Sequence, residues 1–180
     1  MAFYGFLRCG EFTVGDNSTS YIQASDIELS PDLSQYSLLL RSSKTDPFSK
    51  GVSITIFNPP PLLPVTTMST YISSRLSQGA TPQCPLFLDP HLAHSPLTRA
   101  TFITLLRSTL SATGYEDHHF SGHSFRIGAC TSGGANGVPD HLLQTLGRWQ
   151  SNCYSRYIRT HSNTLAQAQF QLSNKFNHSV

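Results

Sequence analysis

The run Asn58-Pro-Pro-Pro-Leu-Leu-Pro64 separates two kinds of sequence and so limits what this chain can fold into. Each proline fixes φ and removes a backbone donor, which makes the run a stiff, extended connector rather than a domain boundary. Before it lie Tyr21 to Leu29, Ser37 to Arg41 and Val52 to Phe57, short apolar or β-branched segments separated by turns containing Ser-Pro-Asp and Thr-Asp-Pro. They predict three strands in a small antiparallel sheet. After it the spacing becomes helical. Val65 to Ser77 sets Met68, Tyr71, Ile72 and Leu76 on one face, Gly79 to Cys84 is loop, and Pro85 to Pro90 is a brief extended piece. Ser95 or Thr98 then caps a helix in which Phe102, Leu105, Leu106 and Leu110 recur as core positions up to Gly114. Met1 to Val14 is apolar on most faces and predicts a short buried helix, with Arg8 and Glu11 three apart as an intrahelical ion pair. The fold class is α+β, mainly α-helical with a small three-stranded sheet.

At 180 residues, with 38% hydrophobic and 12% charged residues, the chain is expected to fold as one domain over 1–180. A net charge of +2 and a pI near 8.4 say little about partners, but the distribution says more. From Ser121 onward Arg126, Arg148, Arg156, Arg159 and Lys175 face a single acid, Asp140, so a polyanion has a basic C-terminal part to dock on. The cysteines at 9, 84, 130 and 153 form no Cys-x-x-Cys pair, which argues for free thiols rather than a zinc knuckle or disulfide framework. No apolar run is long enough to span a bilayer and no leader precedes residue 20, so an intracellular location without membrane partners is expected.

The chemistry concentrates between Ser121 and Thr160. His123 and Arg126 stand one helical turn apart, so on one helix face both could converge on a single anion. Gly133, Gly134 and Gly137 are expected to weaken and end that helix, and Pro139-Asp140 to start another with Leu142, Leu143 and Leu146 in the core. Trp149, the only tryptophan, is either a core anchor or an N–H donor to a phosphate oxygen, and Arg148 beside it could contact a nucleic-acid backbone. Tyr154 and Tyr157 follow, then a final amphipathic helix over Asn163 to Ser173. A histidine, an arginine, an indole and a late tyrosine suit the holding of a phosphodiester while a phenol attacks it. His118, His119 and His123 also invite a metal site, but no cysteine or carboxylate cluster beyond Glu116 and Asp117 completes it, and no metal is expected.

The wording Ser-Gly-His-Ser-Phe-Arg-Ile-Gly-Ala, with Trp149 and Tyr157, resembles the catalytic core of the tyrosine recombinases, the phage-integrase family, of the Cre-like kind. LRSSKTDPF and GRWQSNCYSRYIR resemble the recombinases of DIRS-type and Crypton mobile elements, and FLRCGEF matches the family's Leu-Arg-x-x-Glu. The resemblance implies that Arg8 holds a non-bridging phosphate oxygen and Glu11 supports the active site from behind. It implies that Lys44, or Lys50 on the far side of the same turn, protonates the leaving 5′ oxygen. His123 would accept the phenol proton, Arg126 and Trp149 would stabilise the phosphorane charge, and Tyr157 would form a 3′-phosphotyrosyl bond. Arg148, Arg156 and Arg159 would bind the duplex. No cofactor is implied, because bond energy is kept in the phosphotyrosine.

The partners implied are double-stranded DNA and a tetramer on it, joined through the C-terminal helix, which could equally pack on its own domain. The family's N-terminal DNA clamp and first catalytic-domain helix have no counterpart here, so an N-terminally truncated catalytic domain is expected, acting in the nucleus if the element is eukaryotic. Two alternatives stay open: a type IB topoisomerase, and a decayed DNA-binding relic of a recombinase.

Overall fold

The computed structural model describes residues 1–15, 20–41, 50–92, 94–151, 155, 158, 165–166 and 169. They form two compact units, Met1–Phe125 and Arg126–Val180. Among the described residues there are five α-helices, and none is long and apolar enough to cross a membrane.

The first unit is built on a three-stranded antiparallel sheet in the order β1 (Ile27–Leu29), β2 (Gln35–Leu40), β3 (Val52–Phe57). The register pairs Ile27 with Leu38 on one side, and Tyr36 with Ile56 and Leu40 with Val52 on the other. Alternation along the central strand does the sorting. Tyr36, Leu38 and Leu40 turn inward and are buried, whereas Leu39 between them is 43% exposed. The first strand is shorter than its sequence suggests. Its predicted beginning is a single 3-10 turn, Ala24–Asp26, because the buried Asp26 carboxylate folds back to accept from the Gln23 amide at 2.9 Å. The same carboxylate accepts from Arg41 Nε at 2.9 Å, tying this turn to the end of β2.

The predicted helix over residues 1–14 shrinks to α1, Cys9–Phe12. Phe6 has φ +48°, which no right-handed helix contains, and the preceding residues close turns instead, with Leu7 N donating to Ala2 O. Burial of Phe6 and Leu7 in the core outweighs local helix formation there. Helix α2, Pro64–Ser77, starts with proline at its first position and buries Val65 and Met68; of the predicted face Tyr71 and Ile72 are partly buried against the core, and Leu76 is exposed. Thr98, not Ser95, caps α3 (Arg99–Ala112), its Oγ1 accepting from Thr101 N at 3.1 Å. Helix α3 buries no residue fully and Leu105 is 39% exposed, so the expected core stripe is only a partial one. Phe102 carries the contact, edge to face on Phe12 with ring centroids 5.0 Å apart.

Helix α4, Ser124–Ala135, begins in the first unit and continues into the second, where α5, Asp140–Gly147, follows. Gly133 and Gly134 do not end α4. A Cβ on Gly133 would lie 2.5 Å from Leu143 Cδ2, so its small size serves close packing with α5. The turn falls to Gly137 at φ +72°, with Val138 N donating to Gly133 O at 2.9 Å. Of the three leucines expected in the core, only Leu143 is buried. Leu142 and Leu146 are 45% and 46% exposed.

Candidate active site

Arg8 stands at the N-cap of α1, and the ion pair read from the sequence is present. Glu11 Oε1 accepts from Arg8 Nη1 at 3.0 Å, while Oε2 accepts from the Arg8 backbone amide at 2.8 Å. The Glu11 side chain is only 5% exposed against 21% for Arg8. One inward carboxylate therefore fixes both the main chain and the guanidinium of Arg8. Such a doubly anchored cation is pre-organised for an anion.

His123 lies just ahead of α4 rather than on its face, correcting the expected placement. It is exposed, in a turn held by Ser121 N donating to Ser124 Oγ at 2.8 Å and by His123 N donating to Ser121 Oγ at 3.3 Å. The residue before it, Gly122, is buried against Cys9, which directly follows Arg8. A Cβ on Gly122 would fall 2.7 Å from Cys9 Cβ, closer than two carbons can sit. This close approach seats the His123 loop on the start of α1, so the segments carrying Arg8 and His123 meet. A Gly122→Ala chain is expected to lose about 1–3 kcal/mol of stability by overpacking. Urea unfolding would measure it, and a Cys9→Gly substitution in the same chain should restore part of the loss.

In the second unit Arg126 is 1% exposed, in the first turns of α4. Its guanidinium lies over the Trp149 ring, 4.2 Å from the ring centroid, and Nη2 donates to the carbonyl of Gly147. The Gly-Arg-Trp motif explains how. Helix α5 ends at Gly147, Arg148 takes φ +56° as its cap, and Trp149 N returns to Gln144 O at 3.1 Å. That reversal folds the indole back over the Gly147 α-carbon, into the space a side chain there would fill. Trp149, 8% exposed, is thus a platform for Arg126, a role the sequence did not single out. Arg148 is half-buried behind its own turn.

The structure thus pairs Arg8 with Glu11, brings the Arg8 and His123 segments together, and separately pairs Arg126 with Trp149. Lys44, Tyr154, Arg156, Tyr157 and Arg159 lie outside the described residues, as does nearly all of the predicted helix over 163–173. Lys50 is exposed, two residues before β3. Gly122 and Gly147, which were not among the candidate site residues read from the sequence, hold the neighbouring candidates through close contacts, Gly122 on Cys9 and Gly147 under Trp149. The signal was their place: each stands directly beside or two before a candidate side chain. Cys9 and Cys130 are buried thiols, and burial raises the pKa of both.

The same arrangement of helices and sheet recurs in solved recombinases. The chain superposes on XerA recombinase with a TM-score of 0.69 at 20% identity, over 94% of this chain and 54% of that one. On XerH site-specific recombinase bound to difH substrate, in a pre-cleavage complex, the TM-score is 0.63 at 15% identity, over 93% and 43%. On the Tn1549 transposon integrase in complex with a circular intermediate DNA it is 0.58 at 15% identity, over 94% and 55%. The chain spans about half the length of these proteins. No family model and no curated protein matches the sequence. The fold is that of a tyrosine-recombinase catalytic domain.

Proposed function

We propose that this chain is the catalytic part of a site-specific DNA recombinase or integrase from a mobile element, which cuts and rejoins DNA through a 3′-phosphotyrosyl intermediate. The observation that carries the reading is the seating of Gly122 on Cys9, which brings the loops of Arg8 and His123 together in a fold shared with recombinases. In this reading Tyr157 attacks the scissile phosphate in line. A phenol with a reference pKa of about 10 needs a proton acceptor at neutral pH, and His123, exposed and held by its serine turn, supplies it. Arg8, anchored by Glu11, and Arg126, carried on Trp149, stabilise the charge that builds on the phosphorane. Lys44 delivers the proton to the 5′ oxygen as it leaves, so the phosphodiester energy passes into the phosphotyrosine and back. Arg148, Arg156 and Arg159 hold the duplex by its phosphates, and binding falls steeply with added salt. Four such chains assemble on the DNA through the segment 163–173.

The test uses nicked duplex DNA whose cleaved strand diffuses away, so that the covalent intermediate accumulates. Wild type is expected to give a protein–DNA adduct on a denaturing gel, retained by Tyr154→Phe and lost in Tyr157→Phe. Loss in Tyr154→Phe alone would move the nucleophile. An absence of adduct in wild type, with salt-sensitive DNA binding intact, would favour a binding module that has kept the fold without turnover.

A further inference from the structure

The three histidines noted in the sequence do not form the cluster their spacing suggested; another set does. Glu116, His118 and His119 each offer a ligand atom, and the three atoms lie within 4.8 Å of one another, with His123 not among them. They sit on a single 3-10 turn, Asp117–His119, whose entry residue is Glu116. We propose that these three side chains form a surface site for one divalent transition-metal ion of the zinc type, completed by water.

Three features support it. Successive residues of a 3-10 turn point about 120° apart, so neighbouring imidazoles ordinarily diverge. Here the rings of His118 and His119 lie with centroids 4.0 Å apart. His119 Nε2 is 3.0 Å from Glu116 Oε2. In a tetrahedral zinc site with bonds near 2.0–2.1 Å, adjacent ligand atoms stand about 3.3 Å apart. The existing contact thus needs to open by only a few tenths of an ångström, and side-chain rotation closes the rest.

The turn is also held from behind. Phe120 O accepts from Arg107 Nε of α3 at 3.2 Å, and Phe120 meets Tyr115 edge to face. All three ligand residues are exposed, so none is engaged in the core, and an ion could reach them directly from solvent. A carboxylate with two imidazoles is a donor set suited to zinc, nickel or cobalt rather than to calcium or magnesium, which prefer oxygen.

Zinc chloride titrated into the full chain by calorimetry, in a buffer without chelators, tests the site. Binding of one ion per chain is expected, weakened at least about tenfold by each of Glu116→Gln, His118→Ala and His119→Ala. His123→Ala and His141→Ala should leave zinc affinity unchanged. The same pattern should appear in the visible spectrum of the cobalt-loaded chain, which reports the ligands directly. The proposal is overturned by an absence of binding below millimolar zinc, by wild-type affinity in His118→Ala/His119→Ala, or by loss of binding in His123→Ala.

Discussion

An Arg126→Ala chain is expected to be less stable by about 2–4 kcal/mol and to form the covalent adduct on nicked duplex at least about a hundredfold more slowly than wild type. The stability loss has two sources. The guanidinium over the indole is 1% exposed, and a cation–π contact removed from water contributes about 2 kcal/mol. The Gly147 carbonyl also loses the Nη2 donor, and a buried acceptor left without that partner costs about 1 kcal/mol or more. The rate loss follows from the proposed role, because removing one pre-organised donor from a charged transition state typically costs a factor of about 10²–10³. Arg126→Lys separates the two. Lysine keeps the charge but has no planar fork to lie on the ring while donating to a carbonyl. It should recover part of the stability and little of the rate. Thermal unfolding followed by circular dichroism and single-turnover adduct formation measure the pair. A full rate with reduced stability would make Arg126 a structural residue and remove it from the catalytic set.

Segments whose pattern was long and whose burial was one-sided were legible in the sequence. Strand Val52–Phe57 lies where its β-branched run predicted it, and α2 differs from its predicted span by one residue. Where a polar side chain or a single backbone torsion decides the local path, periodicity carries no signal. The Asp26 carboxylate turned the beginning of a predicted strand into a 3-10 turn, and the positive φ of Phe6 cut a predicted helix to one turn.

The site divides in the same way. Arg8 with Glu11 could be read from spacing alone, since residues three apart meet along any turn of helix. The Arg126–Trp149 stack could not, because it depends on a left-handed cap at Arg148 that folds the chain back. Gly133 was read as a helix breaker. It and Gly122 instead mark places where another element comes too close for a side chain, a contact that spacing along the chain does not show. The histidines divide as well: His118 and His119 lie with Glu116, which the sequence also places beside them, while His123 stands apart.

Gly147 provides the second large effect, and its sign is diagnostic. By helix propensity alone, alanine at the last residue of α5 should stabilise the chain by up to about 1 kcal/mol. The packing predicts the opposite. A methyl group there would occupy the space of the Trp149 six-membered ring, overlapping Cζ3 and Cε3, and the indole would have to leave. With it would go the surface on which Arg126 lies. Gly147→Ala is therefore expected to destabilise the chain by about 3 kcal/mol, as overpacking and the lost cation–π contact add. Trp149→Ala removes the contact but creates no clash, so its own cost is that of a lost large side chain, about 3–5 kcal/mol. In the double variant the clash is gone and the platform is already lost. Its total should fall short of the sum of the single effects by about 1–3 kcal/mol, the coupling expected of residues in contact. Adduct formation should fall in all three, because each leaves Arg126 without its indole. Additive stabilities in the cycle, or a Gly147→Ala chain more stable than wild type, would show that Trp149 does not rest on Gly147, and with that the account of how Arg126 is held would fail.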